Sequence, residues 1–232
     1  MALLIVNADD FGASHGINRA VAELHALGVV TSASLMIEMP ATPDAIAIAW
    51  REPGLGVGLH VALTDEDAEP FVDFNDSSAV ERAIERQMDR FVGELERLPS
   101  HMDAHQNVHR DPRLAPLFVA AAQRYGLPLR EHSAVRYFAD FYGQWDGIPH
   151  PEHIGVESLL AMLESVLDDV PVELSCHPGY VDRDFLSPYH DERDIERRTL
   201  AHPKLREFFA RRTVRLICFS DVPAGAPASV TP

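Results

Sequence analysis

The sequence predicts an α/β protein whose parallel sheet closes or distorts into a (β/α) barrel. Three observations point there. Short apolar runs rich in Ile and Val alternate with stretches of helical periodicity along nearly all of the 232 residues. Roughly six or seven such strand–helix units follow one another with no linker and no internal repeat, so a single core is expected. The residues able to do chemistry cluster at the C-terminal ends of the strand-like runs, the edge at which parallel α/β folds bind ligands. An open doubly wound sheet is the alternative, but the first loop, Asp9-Asp10-Phe11-Gly12, lacks the GxGxxG phosphate-binding fingerprint.

The elements follow in order. Residues 2–8 form an apolar run, broken by Asn7 alone, short enough for a buried strand, with Gly12 punctuating its end. Ile17, Val21 and Leu24 then recur at helical spacing, and Gly28 stops the helix. A strand is expected over 29–37, a helix over 43–50 ended by Pro53-Gly54, and a third strand over 55–63. The acidic stretch 65–78 reads as a loop, and 80–98 as a long amphipathic helix with Glu and Arg on its solvated face. Further strands are expected over 101–108, 127–130, 170–176 and 214–219. Further helices are expected over 114–125, along the stripe Leu159, Leu160, Leu163, Val166 and Leu167, and over 195–212. Residues 131–155 are irregular and aromatic (Tyr137, Phe138, Phe141, Tyr142, Trp145), either a self-packed loop or a wall for substrate. The domain is expected to span 1–222, with 223–232 a flexible tail.

Composition narrows the function classes. Hydrophobic residues make up 46% and charged residues 24%, which excludes a disordered chain or a small disulfide scaffold. Lys and Arg number 20 against 36 Asp and Glu, a net charge of −16 that repels nucleic acid and anionic membranes. Cys176 and Cys218 lie in apolar runs without zinc-type spacing, so two buried free thiols and a reducing compartment are expected. The start MALLIVNADD lacks the basic n-region of a signal peptide, and no apolar run reaches the ~20 residues of a membrane span. A cytoplasmic location follows as the expectation.

Four clusters carry chemistry. Asp9-Asp10 closes the first strand, where two acids are expensive to bury without a partner. Adjacent strand residues face opposite ways, so both reach one site only if the chain turns, and Phe11-Gly12 is where that turn is expected. One acid would then hold a metal and the other move a proton. His60 lies in the strand LGVGLHVAL. In HMDAHQNVH, residues 101, 103, 105, 107 and 109 share one face of a strand, so His101, Asp103 and His105 can converge on an ion or a proton network. Imidazole and carboxylate donors suit zinc, manganese or iron, with magnesium admitted where oxygen dominates. His177 ends the run VPVELSC before Pro178-Gly179, a natural proton donor or acceptor near neutral pH. Together these imply a hydrolytic metal site with three protein ligands and an open position for water. Neither Cys is an obvious nucleophile, so attack by metal-bound water is favoured over acyl-enzyme chemistry.

LIVNADDFG, GLHVALT, HMDAHQNVH and ELSCHPGY, in this order, resemble the motifs of the YdjC-like carbohydrate deacetylases, also called the ChbG/HpnK family. The resemblance runs from about residue 2 to 219. It implies a distorted (β/α) TIM-like barrel in a single domain, and metal-dependent removal of acetyl groups from N-acetylated, chito-oligosaccharide-like sugars. Carried over by residue, it makes Asp10, His60 and His105 the ligands of a divalent ion, Mg²⁺ or Zn²⁺. It makes Asp9 the general base and His177 the general acid. His101, Asp103 and His109 become candidates for orienting those ligands, and Arg130 for holding a carboxylate or the sugar. Asn107 stands where many members have His, Ala104 where many have Ser or Gly, and segments 65–78 and 131–155 are short for the family. The expected partner is an N-acetylated sugar, and a homo-oligomer is compatible. Two other readings use the same residues: a non-catalytic glycan-binding or regulatory protein that keeps the metal site, and another metal-dependent barrel enzyme such as a sugar isomerase.

Overall fold

A computed structural model describes residues 1–182 and 185–222; the expected tail at 223–232 lies outside the described residues. In chain order the strands are β1 (Leu3–Phe11), β2 (Ser32–Leu35), β3 (Gly56–Val61), β4 (Met102–Ala104), β5 (Arg136–Phe138), β6 (Gln144–Trp145), β7 (Ile148–Pro149), β8 (Val172–Cys176) and β9 (Arg215–Leu216). The α-helices are α1 (His15–Ala26), α2 (Thr42–Arg51), α3 (Ser77–Leu95), α4 (Ala115–Tyr125), α5 (Val156–Val166), α6 (His190–Leu200) and α7 (Pro203–Arg212). The main sheet runs β4-β3-β2-β1-β8-β5, and every pairing in it is parallel. β8 takes one edge of β1, so β9 pairs at Leu3 and Leu4 with the edge that β2 leaves free there.

Distance forces this sheet to curl. Leu129 bridges Met102 outside β4, while Arg136 pairs with Val172 on the far side of β8. Laid flat, strands about 4.8 Å apart would put those two edges about 29 Å from each other. The chain from 129 to 136 reaches about 25 Å at full stretch. Arg130 closes the space directly: its guanidinium meets Asp103 beside β3 and Glu173 on β8. The result is a distorted (β/α) barrel in one domain, as expected, and the open sheet is set aside.

Strand alternation divides the side chains between two environments. Leu4, Val6 and Ala8 of β1 face outward into the main core with Ile17, Val21 and Leu24 of α1. Ser14 starts α1 by accepting from the Ile17 N–H. The opposite face of β1 looks into the barrel, where Ile5 packs with Val135, Ile217 and Phe219 as an apolar plug beneath its polar floor. Above the plug the interior is polar, with Asn7, Ser34, His101, Asp103, Arg130 and Glu173 all buried.

Five segments differ from expectation. Residues 131–155, expected to be irregular, supply β5 of the main sheet and the β6–β7 pair. The strand over 101–108 stops at Ala104, because Gln106 and Asn107 adopt φ of +54° and +52° and turn the chain. Residues 127–130 contribute one isolated bridge at Leu129. The helix over 195–212 is two helices, broken before Pro203, which disfavours a helical residue ahead of it. The strand over 214–219 keeps two residues, after which the Phe219 ring stacks on His101 with centroids 3.9 Å apart. Cys176 is buried as expected, whereas Cys218 is only half-buried.

Candidate active site

The strand ends deliver the four clusters to one mouth. On β1, residues 5, 7 and 9 face inward, so Asp10 in a regular strand would face the helices. Asp10 instead sits at φ +64°, and the pairing of β1 with β2 shifts register between Ala8 and Phe11. That bulge aims both acids into the barrel, and the expected turn follows at Phe11-Gly12, with Gly12 at φ +95° and the Ala13 N–H donating to the Asp10 carbonyl at 3.0 Å. His60 rises from the inner face of β3, one step above Gly58. A Cβ on Gly58 would lie 2.3 Å from the His101 ring, so glycine there makes room for the buried imidazole. His105 is the first residue past β4, and the turned Gln106 accepts from Thr64 at 2.9 Å and donates to the Asp65 carbonyl at 2.9 Å. This clamp holds Glu66 over the site, 3.4 Å from His105 Nε2.

Asp10, His60 and His105 offer ligand atoms that all lie within 4.8 Å of one another. Asp10 Oδ1 is 3.3 Å from His60 Nε2 and 3.1 Å from His105 Nδ1. Asp103 Oδ1 lies 2.7 Å from His60 Nδ1, which fixes that ring and leaves Nε2 aimed at the cluster. His105 Nε2 is buried without a hydrogen-bond partner. One carboxylate, two imidazoles and an orphaned ring nitrogen fit a divalent cation. The local charge favours one as well. Burial alone would push His60 down, but Asp103, Asp10 and Asp9 carry it up to about 10. His105 rises to about 9, where Asp10 and Glu66 overcome burial. Asp10 stays well below the carboxylate range, because Arg193 and the two imidazoles outweigh burial.

Asp9 stands beside this group. Arg130 donates to both of its oxygens at 2.8 Å, Asn7 donates to Oδ1 at 2.8 Å and the Ser175 hydroxyl to Oδ2 at 3.2 Å. Burial would raise its pKa, but the guanidinium holds it below its ordinary value. His177 Nε2 lies 3.8 Å from Asp9 Oδ2, and its Nδ1 is buried without a hydrogen-bond partner, 3.9 Å from Glu196 Oε1. The Glu196 carboxylate also accepts the His177 backbone N–H at 2.5 Å, anchoring the residue. Burial pushes His177 down, against the pull of Asp9 and Asp10, so its ring is neutral near pH 7.

The two acids and His60, His105 and His177 share a cavity of about 350 Å³, walled also by Glu66, Tyr137, Tyr142, Tyr189 and Arg193. The aromatic segment therefore divides: Tyr137 and Tyr142 face the cavity, Phe141 is buried and Trp145 is exposed. Asp103 does orient His60. His101 lies deeper, between Ser34 and Ser100. His109 does not join the cluster: past the turn it faces Glu131 at 3.0 Å and packs on Phe118. Arg130 holds three carboxylates and is 1% exposed, which puts it out of a sugar's reach. Sequence reasoning missed Arg193, Glu196 and Tyr189. Their helix, HDERDIERRTL, has no apolar stripe, yet Glu192, Arg193, Glu196, Thr199 and Leu200 recur at the spacing of a buried face. That mismatch was the available signal.

Known proteins resemble this chain in sequence and in fold. A family model described as YdjC-like protein matches residues 3–211. A carbohydrate deacetylase of Geobacillus stearothermophilus is 34% identical, over 94% of this chain and 96% of its own. A chitooligosaccharide deacetylase of Serratia marcescens is 32% identical, over 95% and 99%. A crystal structure from Enterococcus faecalis superposes with a TM-score of 0.81 at 25% identity, over 95% and 98%. A family 4 carbohydrate esterase from Streptomyces lividans shares the fold, with a TM-score of 0.58 at 13% identity over 97% and 98%. With the four motifs meeting at one barrel mouth and the family match covering most of its length, the chain belongs to the YdjC-like protein family.

Proposed function

We propose that the protein is a metal-dependent hydrolase that removes acetyl groups from N-acetylated amino sugars or their oligosaccharides, as the names of its relatives suggest. The observation that carries this is the pairing of Asp9 with His177, 3.8 Å apart, beside the Asp10–His60–His105 group in one cavity. A divalent ion on Asp10, His60 and His105, Mg²⁺ or Zn²⁺, would supply Lewis acidity to the acetyl carbonyl and lower the pKa of water. Asp9 takes the proton of the attacking water, its oxygens aimed by the Arg130 fork. His177 delivers a proton to the departing nitrogen. Because its ring is neutral, that proton is the one Asp9 gathers, passed from Oδ2 to Nε2 once substrate draws the two from 3.8 Å to hydrogen-bond distance. Tyr137 and Tyr142 form a wall suited to a pyranose, and an acidic protein suits a neutral substrate with a cationic amine product. We place this activity in the cytoplasm, where the unpaired Cys176 and Cys218 stay reduced.

The test is acetate release from N-acetylglucosamine and its oligomers, supplied with Mg²⁺ or Zn²⁺. Expected are acetate and free amine in equal amounts, abolished by chelator. His60→Ala and His105→Ala should each reduce the bound ion measured by elemental analysis. A rearranged sugar in place of acetate, or activity indifferent to chelation, would overturn the proposal.

A further inference from the structure

Arg193 is 3% exposed yet forms part of the cavity wall, brought there from the buried face of α6. Its carbon chain is held close by Gly179, where a Cβ would come within 3.2 Å of Arg193 Cβ and Cδ. The guanidinium uses one nitrogen: Nη2 donates to Asp10 Oδ2 at 2.6 Å. Asp10 thus divides its oxygens, with Oδ1 toward His60 and His105 and Oδ2 toward Arg193. The other two nitrogens, Nε and Nη1, are buried and have no hydrogen-bond partner. A buried cation keeps donors unpaired only where something else accepts from them. Neutralising Asp10 would need a single N–H and so does not account for the remaining nitrogens.

We propose that Arg193 is a catalytic residue, donating its free N–H groups to the acetyl oxygen as that oxygen becomes an oxyanion. The inference rests on the deacetylase reading. Water adds to the acetyl carbon, the carbonyl π pair moves onto oxygen, and the water proton passes to Asp9. The C–N bond then breaks with its pair going to nitrogen, and the proton reaches that nitrogen through His177. Acetate and the amino sugar leave. Arg193 lines the cavity beside the carboxylate whose other oxygen faces the imidazoles, which sets its guanidinium next to the position where negative charge develops on the substrate.

The test compares the Zn²⁺-loaded wild type with Arg193→Lys and Arg193→Ala on diacetylchitobiose. Arg193→Lys keeps a cation for Asp10 but lacks the fork. It should bind zinc within about threefold of wild type by calorimetry, keep KM within about threefold, and lose about 10²–10³ in kcat. Millimolar guanidinium should restore turnover to Arg193→Ala. A Lys variant with near-native kcat, a loss confined to KM, or a loss in step with lost zinc would overturn the inference. Wild-type silence on the substrate panel would remove the deacetylase reading and this inference together. An active wild type beside an unaffected Lys variant would remove the inference alone.

Discussion

The barrel interior has a floor and a rim, built by the same strands from the same residue types, and their charged groups are partnered differently. On the floor, Arg130 spends its donors on Asp9, Asp103 and Glu173. Ser34 donates to Asp103 at 2.6 Å and lies 2.9 Å from His101 Nε2. The unpaired atoms at this depth, Asn7 Oδ1 and Ser32 Oγ, belong to neutral groups. On the rim Asn107 Oδ1 is unpaired as well, but there ionisable groups join it: His105 Nε2, His177 Nδ1, and Arg193 Nε and Nη1. One step of alternation along a strand, about 7 Å, separates the two layers. A vacant donor or acceptor on a buried charge at the rim marks a group able to take a ligand, and Asp9 joins the two layers, held by Arg130 on one side and facing His177 on the other.

This distinction can be broken by mutation. The largest effect is expected at Asp9, where Asp9→Asn should cost about 10²–10⁴ in kcat while the bound metal measured by elemental analysis is unchanged. Near-native turnover would remove Asp9 as the base. Next comes Arg130→Met, which strands three buried carboxylates. It should lower stability by about 3–5 kcal/mol in urea unfolding, and an unchanged midpoint would erase the division between floor and rim. Gly58→Ala overpacks the floor against the His101 ring and should cost about 1–3 kcal/mol, read as a fall in Tm.

The smallest effect is one of pH. Burial raises Glu173 to about 7 from its ordinary 4.5, against the pull of Arg130. The folded protein holds that proton where the unfolded chain has released it. The stabilisation is therefore full below 4.5 and is lost as pH rises through 7. Unfolding midpoints between about pH 5 and pH 8 should fall less steeply in Glu173→Gln than in wild type. Equal slopes would show that Glu173 stays ionised throughout.

Much of this architecture was legible. The stripes on α1, α3 and α5 and the apolar runs of β1, β3 and β8 repeat at periods set by local backbone geometry, so each can be read within a short window. The clusters around Asp9-Asp10, His60, His105 and His177 stood out because polar residues closing apolar strands are rare without a purpose. The left-handed turns at Asp10, Gln106 and Asn107 were not legible, since Asp, Gln and Asn adopt many conformations and contacts elsewhere select this one. Arg193 escaped because its helix buries charge where periodicity looks for apolar side chains.

The sequence by itself determined the order of strands and helices, the parallel α/β class and the residue types gathered at the strand ends. These depend on neighbours along the chain. Only the tertiary structure decided which imidazoles meet Asp10, why His109 does not, and that Arg130 belongs to the floor while Arg193 belongs to the rim. Those outcomes depend on how far the sheet curls and how closely α6 docks, and both are set by contacts between residues more than a hundred positions apart.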